Sequence, residues 1–233
     1  MDETAAKAPS PTVAEVFEAF LADQRARLKP RTLQRYEEVI WLLGDCLDSY
    51  GHLGLEDAEL RLLKSAGEDH AFVKLFGPEK IADNLDEFLG YFMIRKVMAS
   101  KELLGAAGTV TKKLATWLGE HGFLDADAVD IAVEQGSEAA RDLPAAERLA
   151  GLLYDLSLKA SIDTDDLSDE DHVEDLLMIE RVEPGKLWFE GDIGPVGVPP
   201  AVSAAARVGW SVNLVLGRAR SKWQIIEVGG VYP

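Results

Sequence analysis

The chain has 233 residues, 47% of them hydrophobic, and a formal charge of −17. That length supports one large domain or two small ones, and the apolar fraction excludes a disordered chain. No stretch approaches the ~20 uncharged apolar residues that span a bilayer, and MDETAAKAPSPT lacks the basic and apolar regions of a secretion signal.

The single cysteine, Cys46, has no internal partner and sits in the apolar run VIWLLGDCL, which predicts a buried thiol. These features predict a cytoplasmic protein that contacts no membrane. The charge is uneven. Residues 137–175 carry 3 basic and 12 acidic groups, whereas residues 176–233 carry 6 and 5. An acidic whole repels polyphosphate at long range, but a local basic patch still acts within about one Debye length, ~8 Å.

In TVAEVFEAFLADQRA, Val13, Val16, Phe17, Phe20 and Leu21 fall on one helical face, and Thr12 with Glu15 has capping-box spacing. Pro30 then suits the first turn of a second helix, over about Pro30–Ser49. Leu33, Tyr36, Ile40, Leu43 and Leu47 share its buried face, and Gly51 ends it. GPEKIADNLDEFLGYFMIRKVMA places Ile81, Leu85, Phe88, Leu89, Phe92 and Met93 on a stripe. GTVTKKLATWLGEHGFL does the same with Val110, Leu114, Trp117 and Leu118, and ends at Gly122. A shorter helix is expected in DADAVDIAVEQ, and another in DLPAAERLAGLLYDLSLKAS with Pro144 near its first turn.

SIDTDDLSDEDHVED has many carboxylates and no periodicity, which predicts a solvated linker. A calcium loop is the sharper alternative. Asp163, Asp165, Asp169 and Glu174 have suitable offsets, but Leu167 and Ser168 occupy a ligand and the glycine position. No metal is therefore expected. Beyond residue 175 come five short runs rich in β-branched and aromatic residues, separated by Gly or Pro turns. EPG and RARS suit hairpin connections, and PPAVSAAARVG a short helix across a barrel end. Trp188, Trp210 and Trp223 are expected to fill the core of the resulting small barrel.

Residues 12–51, with Thr12, Pro30, Thr32 and Tyr36, resemble the start of the core-binding, SAM-like domain of tyrosine recombinases and phage integrases. Trp117, Leu118 and Gly122 echo a later aromatic helix of that family, so the resemblance covers about residues 12–125. It implies a helical bundle that packs one face on duplex DNA. It does not carry over the recombinase activity. The four histidines occur as HLGL, HAFV, HGFL and HVED, none of them HxxR, and Tyr232 has no arginine cluster upstream.

The expected fold is thus a mainly α, SAM-like N-terminal helical bundle plus a small C-terminal β-barrel, SH3-like or OB-like. Its expected parts are a tail over 1–11, a helical domain over 12–136, a connecting helix over 137–162, an acidic linker over 163–175 and a barrel over 176–233.

Arg25, Arg27, Lys29, Arg31, Thr32 and Arg35 are candidate DNA contacts, as are Lys112 and Lys113. Arg218, Arg220 and Lys222 on the last hairpin are secondary candidates. The alternative is a solvated basic loop paired with Glu37 and Glu38. No catalytic or nucleotide-binding motif is present. His121, beside Gly122, suits a helix C-terminus. Tyr91, Phe92 and Met93 suit a core, with Arg95 and Lys96 exposed beyond it. The sequence therefore predicts a non-catalytic DNA-associated protein without a cofactor. The alternative is a protein-interaction adaptor that keeps the fold and does not bind DNA. An open basic patch favours the first, and ion pairs to Glu37 and Glu38 favour the second.

Overall fold

In the computed structural model, which describes residues 11–67, 71–160 and 167–233, the first helix starts at its capping box. The Glu15 N–H donates to Thr12 Oγ1 at 3.3 Å, and the Thr12 N–H donates to Glu15 Oε2 at 2.8 Å. Helix α1 runs Val13–Arg25 and α2 runs Pro30–Tyr50. Each buries the expected face, except that Leu21 and Leu33 are only half-buried. Gly51 follows α2 with ordinary right-handed torsions. A Cβ there would lie 2.6 Å from the Phe72 ring, so close approach and not a left-handed turn requires glycine.

The chain divides into two compact units, residues 1–93 with 102–140 and residues 94–101 with 141–233. The first is helical. Short helices α3 (Asp57–Ala66), α4 (Ala71–Leu75) and α5 (Glu79–Ala82) follow α2. They are tied down by specific bonds: the Val13 N–H donates to Phe76 O at 2.9 Å, and the Val73 N–H to Asp48 Oδ1 at 3.2 Å. Lys80 reaches Glu59 at 2.8 Å.

The stripe from Ile81 to Met93 is buried throughout. It is not one regular helix, however. A turn at Asp83–Asn84 and a π-helical segment over Glu87–Phe92 interrupt it before the short α6 (Met93–Arg95). The buried Asn84 amide bonds back to Lys80 O at 2.8 Å.

Helix α7 spans Lys101–Glu120, beginning well before the predicted start. The Phe123 N–H donates to Leu118 O and the Gly122 N–H to Gly119 O, with Gly122 at φ +73°. This Schellman motif is the reason for glycine at that position.

The two helices expected between residues 125 and 160 are one, α8 (Ala126–Ser157), with Pro144 inside it. Proline removes the bond to the carbonyl four residues back and costs ~3 kcal/mol in a helix interior. Burying Leu143, Leu149 and Leu153, at ~2 kcal/mol each, outweighs that. Within the first unit α7 and α8 touch through their backbones. A Cβ on Gly108 would lie 2.5 Å from Gly136 O, and one on Gly136 would lie 2.8 Å from Gly108 O and Lys112 N.

The second unit contains a five-stranded mixed sheet: β1 (His172–Glu183), β2 (Lys186–Phe189), β3 (Ile193–Gly197), β4 (Ser211–Ala219) and β5 (Lys222–Tyr232). A short helix, α9 (Pro200–Ala205), lies between β3 and β4. Pairing runs β1-β2-β3-β5-β4 and returns to β1, so the sheet closes on itself. β1 pairs with β4 over His172–Met178 and with β2 over Ile179–Glu183, and a bulge marks the second pairing at Ile179/Arg181. The parallel β3–β5 junction has a single register pair, Val196 with Trp223. His172–Asp175, expected in a linker, are the first residues of β1. Residues 161–166 lie outside the described residues.

The core of this unit is mainly aliphatic, from Leu177, Ile179, Leu187, Leu214 and Leu216 with Leu149 and Leu153 of α8, and contains the aromatic Phe189 and Trp210. Of the three tryptophans expected inside, only Trp210 is buried. Strand alternation turns Leu187 and Phe189 inward, so Trp188 between them faces out. Arg181 lies 4.5 Å from the Trp188 ring, Arg207 4.7 Å from Trp210 and Arg218 5.1 Å from Trp223. Asp142, 13% exposed at its side chain, joins Arg141 at 2.7 Å to Arg207. Hydrogen bonding from Arg141, then from Arg207, holds its carboxyl below the usual range against the effect of burial.

Two outcomes follow from this packing. Gly108→Ala or Gly136→Ala forces backbones apart and is expected to cost about 3 kcal/mol, measured by chemical denaturation. Asp142→Asn should cost about 1–2 kcal/mol at neutral pH. The wild-type advantage is complete above the unfolded carboxyl value of ~3.9. It is lost as pH falls through the lower folded value, because protonation removes the charge that both arginines bind.

Candidate nucleic-acid interface

The basic stretch connects α1 to α2. Lys29 is the extended residue preceding α2 and makes no side-chain cap, and Pro30 is the first helical residue. The first turn of α2 contains no acidic residue. Arg31 and Thr32 are exposed there. Placing cations at the positive end of a helix dipole runs against the usual preference, and it leaves an anion-attracting corner.

The two ends of the stretch are different. Arg25 pairs with Glu37 at 3.0 Å. Arg35 pairs with Glu38 at 2.7 Å and with Glu102 of α7 at 3.7 Å. Arg27 donates to the Asp23 carbonyl at 3.4 Å. Among the described residues, Lys29 and Arg31 have no carboxylate within ion-pair range. The patch therefore holds three cations without a carboxylate partner among the described residues, Arg27, Lys29 and Arg31, between two paired arginines.

The α1–α2 hairpin is seated on α7 by aromatic contacts. Tyr36 stacks on Phe20 with centroids 6.1 Å apart, and Phe20 meets Trp117 edge-on at 5.9 Å. The Trp117 indole N–H donates to Asp23 Oδ2 at 2.8 Å. Burial pushes the Tyr36 hydroxyl's pKa up, with Arg27 opposing. His121 stacks on Trp117 at 3.9 Å, and its Nδ1 lies 2.8 Å from Trp117 O, at the C-terminal end of α7. Lys112 and Lys113 are exposed on α7. Lys113 is one turn before Trp117, which brings it toward the end of α1. Lys112 and Lys113 lie about 15 Å along α7 from Glu102, which pairs with Arg35.

The secondary candidates divide in the same way. Arg218 is held by Asp171 at 2.7 Å and by Glu170 O at 3.3 Å, so it is a structural group. This hydrogen bond, followed by that from Ser168, lowers the Asp171 pKa. Arg220 and Lys222 are exposed on the β4–β5 hairpin. Arg220 and Ser221 both have positive φ, 50° and 63°, in a turn between Ala219 and Lys222.

Phe92 and Met93 are core residues, and Arg95 donates to the Tyr232 hydroxyl at 3.4 Å. Cys46 is buried, and its thiol is pushed up to about 12 by burial, then by Glu87 and Asp45. Among the described residues no three His, Cys, Asp or Glu side chains assemble as a metal set. Asp163 and Asp165 of the calcium alternative lie outside the described residues, and Glu174 stands in β1 opposite Val215. No helix among the described residues is long and apolar enough to cross a membrane. No known protein family, curated protein or solved structure matches the chain.

The hairpin turn gives a direct test. Two-residue turns with positive φ at both positions favour Asn-Gly. Arg220→Asn with Ser221→Gly is expected to stabilise the protein by about 1 kcal/mol, seen as a higher Tm. An unchanged or lower Tm would show that Arg220 contributes more than its turn geometry.

Proposed function

We propose that this protein is a non-catalytic protein-interaction adaptor. The observation that carries the reading is the pairing of Arg25 with Glu37 and of Arg35 with Glu38 and Glu102. These pairs use up the cations at both ends of the stretch best suited to phosphate. With Arg27, Lys29, Arg31, Lys112 and Lys113 as open contacts, the salt slope of DNA binding would reach at most about −4.5, since each contact contributes ~0.9. That electrostatic gain is set against a chain of charge −17.

The fold supports the reading without deciding it. The bundle is read as core-binding-like from the Thr12 cap, the Pro30 start, and Tyr36 and Trp117 packed about Phe20. The sheet is read as OB-like in preference to SH3-like. Its strand order β1-β2-β3-β5-β4, its parallel β3–β5 junction and α9 between β3 and β4 support that choice. A fold of either type serves many functions, so the surface has to decide.

Duplex DNA binding is the second reading. It is favoured by the exposed Lys29 and Arg31 at the N-terminus of α2.

Fluorescence anisotropy with a labelled duplex separates the two. The adaptor reading expects no binding at low salt. Micromolar binding that weakens as salt rises, and that is lost in Lys29→Glu with Arg31→Glu, would replace it with the DNA reading.

A further inference from the structure

Trp41 is 65% exposed on α2, whose Val39, Ile40, Leu42, Leu43 and Leu47 are buried. Helical spacing sets what surrounds it. Glu37 and Glu38 lie one turn before, Asp45 one turn after and Asp48 two turns after. From Tyr36 to Tyr50 the helix contains no Lys or Arg. The indole is thus a broad aromatic face in a negative field.

Glu37 and Glu38 are engaged by Arg25 and Arg35, and Asp48 accepts the Val73 N–H. Asp45 has no hydrogen-bond or ion-pair partner among the described residues. Aromatic faces attract guanidinium and ammonium groups, and an adjacent carboxylate strengthens the attraction. Exposed tryptophan is also the side chain most enriched among residues that dominate protein interfaces.

We infer that the Trp41 face of α2 docks a cationic segment of a partner protein, whose arginine or lysine side chain stacks on the indole and pairs with Asp45. The inference rests on the adaptor reading and gives it a surface and a partner chemistry. Charge complementarity selects the occupant. A nucleic acid or an acidic segment stacked on the ring would meet the unpaired Asp45 one turn away, whereas a basic segment would meet it as a partner.

The test uses the full chain labelled with 15N, in which the five tryptophans give separate indole N–H signals. Trp41→Phe identifies the Trp41 signal by its loss. The probe is a hexa-arginine peptide, with a serine–glycine peptide of equal length as control and a short DNA duplex as the third ligand. The expected result is a saturable shift of the Trp41 indole with hexa-arginine alone. It should weaken about threefold in Asp45→Asn, as loss of a partly exposed charge pair implies. Circular dichroism of Asp45→Asn and Trp41→Phe checks that both remain folded. If hexa-arginine moves other signals and leaves Trp41 still, the inference is overturned while the adaptor reading stands with another surface. An equal shift with the serine–glycine peptide also overturns it, because charge then plays no part. If only the duplex moves any signal, both the inference and the adaptor reading fall.

Discussion

The helical unit depends on one contact that involves no side chains. Gly108 of α7 and Gly136 of α8 bring two backbones together, and a methyl group at either position would strike backbone atoms. Helices in such contact have no layer of side chains to readjust, so their spacing is fixed by main-chain dimensions. The neighbouring residues then follow. Leu114, Ala115 and Leu118 of α7, Ala132 of α8, and Ile81 and Leu85 close around a space too small for water. Trp117, held on α7 about two and a half turns beyond Gly108, receives Phe20 and Asp23 from α1. The corner that carries Lys29 and Arg31 therefore owes its position to a glycine contact remote from it in sequence.

The charges on this scaffold are arranged in two different ways. Around the start of α2, Arg25 and Arg35 are matched to carboxylates across short distances, while Lys29 and Arg31 stay open. Further along α2, carboxylates lie beside an exposed aromatic ring, and no Lys or Arg occurs from Tyr36 to Tyr50. Exposed ion pairs of the first kind contribute little to stability, ~0–1 kcal/mol each. Their larger effect is to remove arginines from competition for an outside anion. The net charge is therefore a poor guide to what the molecule binds, because pairing differs from one turn of the same helix to the next.

Much of the architecture was legible in local chemistry. Thr12 with Glu15, Pro30 and Gly122 mark helix ends by well-understood cap geometry, and all five strands were visible as short β-branched runs between turns. What was not legible has definite causes. Helix α3 buries no residue and is preceded by Glu56, not by a usual capping residue, so neither a stripe nor a cap announced it. The early turns of α7 contain LLGAAG, in which glycine suggests a break; tertiary contact makes it the packing residue. Trp188 was assigned to the core by size, but strand parity turned it outward. At the basic stretch, the Arg35–Glu38 pair could be foreseen from its spacing on one helix. The pairing of Arg25 with Glu37 needs the α1–α2 turn, and that of Arg35 with Glu102 needs α7 to be in place. Trp41 was hidden inside VIWLLGDCL, since a large apolar residue in an apolar run gives no sign of being the one that faces water.

The closed sheet has unequal seams. β4 and β5 are registered from Ser211–Tyr232 to Ala219–Lys222, whereas β3 and β5 meet at Val196 and Trp223 alone. Sheets come apart where the fewest bonds must be broken together, and protein segments open with free energies that range from near zero to the full stability. The β3–β5 seam is the place where this sheet would breathe, opening the ring into a curved ribbon while the β4–β5 ladder stays closed. In amide-exchange terms the ladder belongs to the slow core, and the seam is a gate through which solvent reaches β3 first.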